Sequence, residues 1–315
     1  MPRLLLLILC IQVGGTALTG QKQVTLPAEV SDLIMIETGQ TAMLREEVIV
    51  TGTLVFSEGS QLQLRTSNPV SLVVQGTLRA VGTEKQPVVF GGARVRTGQW
   101  KGILSVGTVQ LAWARIEGAD VGLTVKGGSA SLSDCVIRYC NSGVVAGVVG
   151  KRDINVNLRN CLIANNLKNG VQFTDCLLTA ENTCILANGG WGIYGYYCPR
   201  LEVRQCSVLA NKGGGVIGEL YGCKVSVEKS NVHGNGAIDF ENRCTDPWAV
   251  KGCYLGPITA REIRLKGEKA NLTRVKDLRD GQTALVEISD PTQQQVLAGC
   301  SLDMSWVTRE VGPRK

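Results

Sequence analysis

The chain has 315 residues, of which 44% are hydrophobic and 19% charged, and its formal net charge is +6. Lys and Arg are scattered among Asp and Glu without a long basic block, so nucleic acid is not expected as a partner, whereas an acidic glycan remains possible. No stretch reaches the roughly 18 uninterrupted apolar residues of a membrane-spanning helix, so no span is expected either.

The first 19 residues have the layout of a secretory signal peptide. Arg3 precedes an apolar run from Leu4 to Val13, and small residues follow between Gly15 and Gly20. A short apolar run followed by small residues is typical of a cleaved leader. We therefore expect residues 1–19 to be removed and the mature chain to be secreted. The sequon at Asn271 then permits N-glycosylation in a eukaryotic host.

A repeat of about 23 residues follows. The motifs "CLIAN", "CILAN" and "SVLAN" end at Asn165, Asn188 and Asn211, which are 23 residues apart in each step. Within each unit, apolar residues alternate over short runs that Gly and Asn separate, which indicates strands and turns. We expect a cap over residues 20–43 and the repeat over 44–257. Residues 258–315, where the period fades, are expected to form irregular coils or a second cap.

Three short strands per unit predict an all-β fold, the right-handed parallel β-helix, in which equivalent residues stack about 4.8 Å apart. Dividing the repetitive span by the period predicts nine or ten coils. Two interior columns can be assigned. One contains Ile116, Ile137, Ile163 and Leu186, and the other contains Leu123, Val144, Val171, Ile193 and Val216.

Asparagine recurs where each coil must bend. Stacked Asn side chains can hydrogen-bond along a column, and Asn tolerates the left-handed backbone conformation of such bends. The predicted structural ladder contains Asn165, Asn188, Asn211 and Asn235. Glycines open the next strand, and we expect them there because glycine adopts positive φ freely: Gly122, Gly143, Gly170, Gly192 and Gly215.

Three segments carry a family resemblance: "GTLVFSEGSQLQL" from residue 52, "GQWKGI" at 98–103 and "ARIEGADVGL" from residue 114. They resemble secreted parallel β-helix repeat proteins of the pectin-lyase-like superfamily, and particularly the repeat regions of bark beetle-type extracellular adhesion proteins. The resemblance covers roughly residues 44–245. It implies the fold more than the function, because this architecture hosts lyases, hydrolases, adhesins and inert scaffolds.

Few residues have the pattern of a catalytic site. Pectin-degrading hydrolases of this fold resemble one another in paired aspartates and a Gly-His-Gly, whereas this chain has no Asp-Asp pair and one histidine, His233. We place His233 on the column of Ile163, which favours a core role over a catalytic one. A polysaccharide lyase needs a base and a cation, for which Lys151 and Arg152 of an inserted loop are the candidates.

Metal and cofactor sites are not expected. No Asp/Glu cluster has calcium-ligand spacing, and zinc is disfavoured without nearby histidines.

Aromatic residues crowd into 64 residues of the C-terminal coils: Trp191, Tyr194, Tyr196, Tyr197, Tyr221, Trp248 and Tyr254. If they point outward, they form a platform on which sugar rings or a protein partner could stack. If they point inward, they cap the end of the apolar core. The sequence leaves both interpretations open.

Removal of the leader leaves eleven cysteines, an odd number, so at least one is unpaired or linked to another chain. Cys135, Cys161 and Cys184 share one repeat position, and Cys206 deviates from it by one residue. They could act as small hydrophobic residues or as bridges between coils. Disulfides are most expected in loops. The candidates are Cys244 with Cys253, and one pair among Cys176, Cys198 and Cys223.

These features favour a secreted, non-catalytic binding or adhesion module whose ligand is a glycan or a cell-surface protein. A polysaccharide lyase acting on an acidic glycan is the alternative, and a purely structural scaffold is the third possibility. Lys151 and Arg152 converging with an acid in a groove would favour the lyase. Trp191 and Tyr196 exposed in a shallow row would favour binding. The oligomeric state is not determined by these patterns.

Overall fold

The computed structural model describes residues 22–91, 95–197, 199–220, 222–236, 238–244, 248–251 and 264–265. These residues form an all-β parallel solenoid of three sheets, and they contain no helix. The predicted fold class is therefore confirmed. The ten strands in each of two sheets agree with the nine or ten coils that the repeat period predicts.

The described residues contain 31 strands, numbered β1 to β31 in chain order, and each coil contributes one strand to each sheet. Sheet A contains β1 (Gln23–Thr25), β4 (Thr41–Leu44), β7 (Gln61–Leu64), β10 (Val88–Phe90), β13 (Ala114–Glu117), β16 (Val136–Arg138), β19 (Leu162–Ala164), β22 (Cys184–Leu186), β25 (Ser207–Leu209) and β28 (Asn231–His233).

Sheet B contains β2 (Glu29–Val30), β5 (Val48–Val50), β8 (Ser71–Val74), β11 (Gly102–Ser105), β14 (Val121–Val125), β17 (Ser142–Ala146), β20 (Val171–Thr174), β23 (Trp191–Tyr196), β26 (Gly214–Glu219), β29 (Phe240–Arg243) and β31 (Arg264–Leu265). Sheet C contains β3 (Leu33–Ile36), β6 (Thr53–Phe56), β9 (Thr77–Val81), β12 (Thr108–Ala112), β15 (Ser129–Ser133), β18 (Asn155–Arg159), β21 (Leu177–Glu181), β24 (Arg200–Arg204), β27 (Val225–Glu228) and β30 (Ala249–Lys251).

The first coil begins earlier than the sequence suggested. Residues 23–36 form β1, β2 and β3, and each of these strands pairs in parallel with the next coil. The segment 20–43 therefore contains a full coil rather than a separate cap. Residues 1–21 and most of 258–315 lie outside the described residues, so the signal peptide and the C-terminal cap stay predictions.

The interior is filled by columns of apolar side chains. The predicted column from Leu123 to Val216 is confirmed, and it extends to Ile103 before and Phe240 after. The other predicted column is wrong at one position, because Ile163 pairs with Ile185 rather than with Leu186. Since successive side chains of a strand point to opposite faces, this shift of one residue turns Leu186 outward.

From β13 to β28, two tight bends flank each strand of sheet A, and single residues with positive φ form them. Between sheets C and A these are Trp113, Asp134, Asn160, Asn182, Gln205 and Lys229, and between sheets A and B they are Gly118, Tyr139, Asn165, Ala187, Ala210 and Gly234. One left-handed residue redirects the chain without adding length. The strands of sheet A can therefore remain as short as three residues.

The asparagine ladder follows the second of these bends, and it contains Asn166 rather than the predicted Asn165. Asn165 has a φ of 56° and forms the bend itself. The buried Nδ2 of Asn166 donates to Oδ1 of Asn188 at 2.9 Å, and the same contact recurs from Asn188 to Asn211 and from Asn211 to Asn235 at 2.8 and 2.9 Å. The other three predicted members are confirmed.

An aspartate ends the ladder. Asn235 donates from Nδ2 to Oδ1 of Asp239 at 2.9 Å, and its backbone N–H donates to the same oxygen at 3.2 Å. Because every ladder amide donates toward the next coil, the last position needs only an acceptor. A carboxylate supplies that acceptor, and the sequence analysis did not identify it.

The glycines at the start of sheet B strands serve packing rather than a special backbone conformation. Gly143 and Gly170 do not have positive φ. A Cβ added at Gly170 would lie 2.7 Å from Cγ2 of Ile185 and 2.8 Å from Nδ2 of Asn188. The prediction of positive φ at these glycines is therefore wrong. They leave room for the ladder amide and the isoleucine column of the next coil.

The described cysteines are buried, and Cys135, Cys140, Cys161 and Cys176 are free thiols. Cys176 is a free thiol in the interior, so it is not a member of the pair predicted among Cys176, Cys198 and Cys223. Burial is the main cause that raises the pKa of both Cys140 and Cys176 to about 12, so both remain protonated at neutral pH. Cys244 and Cys223 are buried, whereas Cys198 and Cys253 lie outside the described residues.

The cysteine register also differs from the prediction. Cys161 follows the bend residue Asn160, and Cys206 follows the bend residue Gln205, so both lie at the same interior position. Cys184 lies one position later, in β22, where it pairs with Leu162. Cys184 is therefore the cysteine that deviates from the column.

Candidate binding face on sheet B

The outer face of sheet B changes character at β20. We define the sheet B face as Gln172, Tyr194, Tyr196, Glu219, Glu241 and Arg243, together with the adjoining Trp191 and Tyr197. Gln172 pairs with Tyr194 in the next coil, Tyr196 pairs with Glu219, and Glu219 pairs with Arg243. Three successive coils thus contribute neighbouring aromatic and charged side chains to one surface.

The aromatic residues of β23 point outward. Ile193 and Gly195 are buried, whereas Tyr194 and Tyr196, which alternate with them, are half-buried. The rings of Tyr196 and Tyr197 are 6.4 Å apart between centroids, with an interplanar angle of 47°. These tyrosines therefore form a half-exposed pair on the face. Tyr221 lies outside the described residues, and its predicted role is not tested.

Trp191 packs along the surface of the face. A Cβ added at Gly214 would lie 2.2 Å from Cζ3 of Trp191, so the indole lies directly over this glycine. The side chain remains half-buried, with part of the ring open to solvent. Because Gly214 has no side chain, the indole ring of Trp191 can lie against the backbone at this position.

Other aromatic residues form a cap. The aromatic residues of the C-terminal coils therefore fall into two groups, one on the sheet B face and one in the interior. Trp248 and Phe240 are almost completely buried, and their rings meet edge to face at 6.4 Å and 79°. They cover the last coils of the core. The outward platform and the inward cap that the sequence left as alternatives are therefore both present, in different residues.

A hydrogen-bond network connects the face across coils. The hydroxyl Oη of Tyr194 donates to Oε2 of Glu219 at 2.5 Å. The guanidinium of Arg243 donates from Nη1 to Glu219 and from Nε to Oε1 of Glu241 at 2.8 Å. Glu219, Glu241 and Arg243 were not predicted from the sequence. Glu219 meets Tyr194 and Arg243 only across coils, which depends on register, and the Glu241–Arg243 pair within β29 is a common pattern of charged residues.

The pKa values of two members of the network, Tyr194 and Arg243, are raised. Partial burial and then the hydrogen bond to Glu219 raise the pKa of Tyr194 to about 12, so the phenol stays a neutral donor. The hydrogen bond to Glu241 raises the pKa of Arg243 above its usual value. One guanidinium thus lies between two carboxylates. The polar groups are held in fixed orientations at the surface.

The inserted loop lies at the edge of the same face. Asp175, next to the outer strand residue Thr174, accepts from the backbone N–H of Gly150 at 2.6 Å and from Nε of Arg152 at 3.1 Å. The side chain of Asp175 is 4% exposed and that of Arg152 is 69% exposed. Lys151 is exposed in the same turn. The acid beside Arg152 therefore holds the loop in place.

His233 lies in β28 and pairs with Leu209, which pairs with Leu186. Its predicted alignment with Ile163 is wrong, because Leu186 pairs with Ala164 and Ile163 belongs to the neighbouring interior column. The predicted glycosylation site at Asn271 lies outside the described residues.

Within the residues that the structure describes, no group of three or more His, Cys, Asp and Glu side chains is arranged to hold a metal ion. The same part of the chain forms no helix that is long and apolar enough to cross a membrane.

Residues 109–254 match the family described as the right handed beta helix region. This segment extends from β12 to beyond β30 and includes the whole sheet B face. A search of curated proteins finds no significant match to the chain. The coil architecture of three parallel sheets thus agrees with a recognised repeat family.

Two solved structures are similar to this chain. The periplasmic alginate epimerase AlgG has 11% sequence identity and a TM-score of 0.34, over 74% of this chain and 76% of that chain. The Dettilon tailspike protein gp208 has 12% identity and a TM-score of 0.30, over 68% of this chain and 54% of that chain. The chain thus spans about half the length of the tailspike chain.

Proposed function

We propose that this protein is a non-catalytic binding module that holds a carbohydrate on the sheet B face. The observation that carries the proposal is the row of half-exposed rings, Tyr194, Tyr196 and Tyr197, beside the Tyr194–Glu219–Arg243 network. Both features lie on consecutive coils, so they form one continuous surface. The combination of aromatic rings and fixed polar groups can contact both the apolar faces and the hydroxyl groups of a sugar chain.

Sugar rings offer apolar C–H faces and polar hydroxyl groups. Tyr and Trp rings provide flat apolar area with a polar end, at a small cost in conformational entropy. Glu219 and Arg243 provide acceptors and donors that are already held by partners, so little orientation is lost on binding. The arrangement therefore supports a shallow lectin-like site better than a deep enclosed pocket.

The two arginines near the face support binding without catalysis. Arg243 lies between Glu219 and Glu241, and Arg152 is paired with Asp175. A lyase needs a cation that neutralises the carboxylate of a uronate. Both guanidinium groups are already neutralised by acids of this chain. The polysaccharide lyase is thus the second candidate, and only exposed Lys151 favours it.

We also infer that the protein acts outside the cell, as an adhesion-type or glycan-binding protein. The leader-like residues 1–19 support secretion. The buried thiols fit this location, because Cys140 and Cys176 are shielded from oxidants and remain protonated. N-terminal sequencing of the protein recovered from a culture medium tests the inference. A mature N-terminus within residues 15–21 is expected, and an intact Met1 would contradict it.

The function is tested by titrating the purified mature protein with neutral and acidic polysaccharides. Binding is followed by tryptophan fluorescence, and cleavage by the ultraviolet absorbance of unsaturated uronate ends. We expect saturable binding of at least one polysaccharide without a rise in absorbance. The Tyr196→Ala variant should bind at least tenfold more weakly, which is the usual effect of removing a central aromatic contact.

The matched control is Asn157→Ala, an exposed substitution on the outer face of sheet C. Its binding should equal that of the wild type. Absorbance that rises during incubation would replace the binding proposal with the lyase. Equal weakening by Tyr196→Ala and Asn157→Ala, or no binding to any polysaccharide, would remove the sheet B face as a carbohydrate site.

A further inference from the structure

The charge of the sheet B face differs in sign from the charge of the whole chain. The chain carries a formal net charge of +6. The face has two carboxylates, Glu219 and Glu241, and one guanidinium, Arg243, so these three groups together carry one negative charge. Tyr194 stays neutral, because partial burial raises its pKa to about 12. The composition of the whole chain leaves an acidic glycan possible, whereas the local charge of the face opposes one.

Glu219 places a negative charge beside the aromatic rings. It pairs with Tyr196 in the neighbouring coil, and it accepts from Oη of Tyr194 at 2.5 Å. Neighbouring strands lie about 4.8 Å apart, so a sugar ring stacked on Tyr196 lies about one strand spacing from this position. A carboxylate on that sugar would be repelled by Glu219, and like charges at a partly dehydrated surface repel more strongly than in bulk water.

Arg243 does not offset this repulsion. Its Nη1 donates to Glu219, and its Nε donates to Oε1 of Glu241 at 2.8 Å. Because the guanidinium already bonds two carboxylates, a third carboxylate gains attraction from one positive charge and repulsion from two negative charges. An anionic ligand therefore has no net electrostatic advantage at this part of the face.

The hydrogen-bonding capacity that remains on the face suits hydroxyl groups. Among the described residues, Nη2 of Arg243 has no acceptor, and the side chain of Arg243 is 49% exposed. Glu219 accepts one bond at each carboxylate oxygen, and a carboxylate can accept about four. The face thus offers a donor next to an acceptor. A hydroxyl both donates and accepts, so neighbouring sugar hydroxyls satisfy both groups, whereas a carboxylate only accepts.

Exposed lysines lie at the edges of the face rather than among its rings. They are Lys151 in the inserted loop, Lys168 and Lys212 in the bends before β20 and β26, and Lys224 in the turn before β27. Water and salt screen exposed charges more than partly buried ones. The side chains of Glu219 and Glu241 are only 20% and 8% exposed, so their charges act on a bound sugar with less screening.

We propose, on the basis that the sheet B face binds carbohydrate as inferred above, that its ligands are uncharged glycans and that uronate-containing glycans are disfavoured. A neutral sugar stacks on the rings of Tyr196 and Tyr197. Its hydroxyl groups accept from Arg243 and donate to Glu219. A uronate in the same position would add a third carboxylate beside Glu219 and Glu241, with one guanidinium between them.

The proposal is tested by comparing neutral polysaccharides with their own oxidised forms. Galactomannan, xyloglucan and a mixed-linkage β-glucan are titrated into the purified protein before and after oxidation of their C6 hydroxyl groups to carboxylates. At about 10 mM salt, where the Debye length is about 30 Å, a polysaccharide that binds should bind about tenfold or more tightly in its neutral form. The difference should narrow at about 1 M NaCl, where the Debye length is about 3 Å.

A charge-neutralising variant locates the cause of the preference. Glu241→Gln keeps an acceptor for Nε of Arg243 and removes one negative charge from the face. The ratio of the affinities for the neutral and oxidised forms should fall about threefold or more. The matched control is Glu228→Gln, which removes the same charge from the outer face of sheet C and should leave this ratio as it is in the wild type.

The outcomes separate the ligand class from carbohydrate binding itself. Equal or tighter binding of the oxidised forms would overturn the proposed ligand class while carbohydrate binding stands. Binding of neither form would remove the carbohydrate site and the ligand class together. A preference for the neutral forms that does not change with salt would also count against the proposal, because repulsion between charges is screened. Should Glu241→Gln not fold, as judged by circular dichroism, the salt dependence of the wild type decides.

Discussion

Sheets B and C run side by side along the solenoid, and both direct columns of apolar residues inward. Their outer faces differ. From β9 to β27 the outward column of sheet C is polar: Arg79, Gln110, Ser131, Asn157, Thr179, Glu202 and Ser226. The outward column of sheet B changes from Thr124, Val145 and Gln172 to Tyr194 and its charged neighbours.

The difference shows which positions the fold itself constrains. Inward residues must fill the space above the previous coil, so the same types recur in every repeat. Outward residues face water, and a polar column satisfies that requirement at low cost, as on sheet C. Stacking does not require the aromatic and charged cluster from Trp191 to Arg243. We therefore interpret that cluster as a functional surface.

The largest effect is expected for the interior that both sheets share. Asn211→Ala removes an amide that accepts from Asn188 and donates to Asn235 and to the carbonyl of Ile185. Buried groups left without partners cost about 1–3 kcal/mol each, so the free energy of unfolding should fall by about 3 kcal/mol or more. Urea denaturation followed by circular dichroism measures the loss. Asn157→Ala on sheet C should change it by less than about 0.5 kcal/mol. A similar, small loss in both variants would mean that the ladder adds no stability.

A smaller effect is expected at the edge of the sheet B face. Asp175→Ala leaves the N–H of Gly150 without its acceptor and releases Arg152. We expect a loss of about 1–2 kcal/mol, mainly from the charge-assisted hydrogen bond between the Gly150 N–H and the buried carboxylate, because Arg152 is largely exposed and its ion pair is screened by water. Amide hydrogen exchange of residues 148–153 should accelerate. In the same loop, Asp153→Ala alters an exposed residue and should leave exchange unchanged. Unaltered exchange in Asp175→Ala would show that this carboxylate does not hold the loop.

A spectroscopic effect without a large change in stability is expected for the network. Glu219→Gln removes the negative charge beside Tyr194, so the pKa of this phenol should fall from about 12 while staying above 10, because partial burial is its main cause. Ultraviolet difference titration of the tyrosines detects the change. Glu228→Gln on sheet C is the matched control and should leave the titration as it is in the wild type.

The sign of the pH dependence follows from this shift. The folded-state pKa of Tyr194 lies above the ordinary value of about 10, so the unfolded chain releases the phenolic proton first as the pH rises. Tyr194 should therefore lower the stability of the wild type between about pH 10 and pH 12, and less so in Glu219→Gln. Titration of Tyr194 at the same pH in both proteins would show that Glu219 does not bond the phenol in solution.

The smallest effect is expected on the outer face of sheet C. Glu202 pairs with Arg200 at 2.5 Å and with Arg204 at 3.7 Å, and both arginines are more than half exposed. Exposed ion pairs contribute about 0–1 kcal/mol, so Glu202→Gln should lower the free energy of unfolding by less than about 1 kcal/mol. It should also leave polysaccharide binding unchanged. A loss of polysaccharide binding in this variant would show that the functional surface includes sheet C. The outer faces of sheets B and C would then not differ in function.

Much of the scaffold could be predicted from the sequence, whereas the chemistry of the face could not. The repeat period and the interior column from Leu123 to Val216 were both predicted from the sequence, because apolar residues alternate along each strand. Trp191, Tyr194, Tyr196 and Tyr197 were identified from their crowding. Glu219, Glu241 and Arg243 gave no such signal, since charged residues occur throughout the chain and only the stacking of coils brings Glu219 beside Arg243.

The repeat could be predicted from the sequence, whereas the register of its strands is fixed only by the tertiary structure. The sequence by itself determined the coil, because short alternating runs between Gly and Asn exclude helices and leave three strands per repeat. The tertiary structure decided which residue of each run points inward: Asn166 rather than Asn165, Ile185 rather than Leu186, and Cys206 in column while Cys184 points outward. Because the coils differ in length, the sequence does not determine these one-residue differences in register. Backbone hydrogen bonds between neighbouring coils settle them, and those bonds exist only once the coils are stacked.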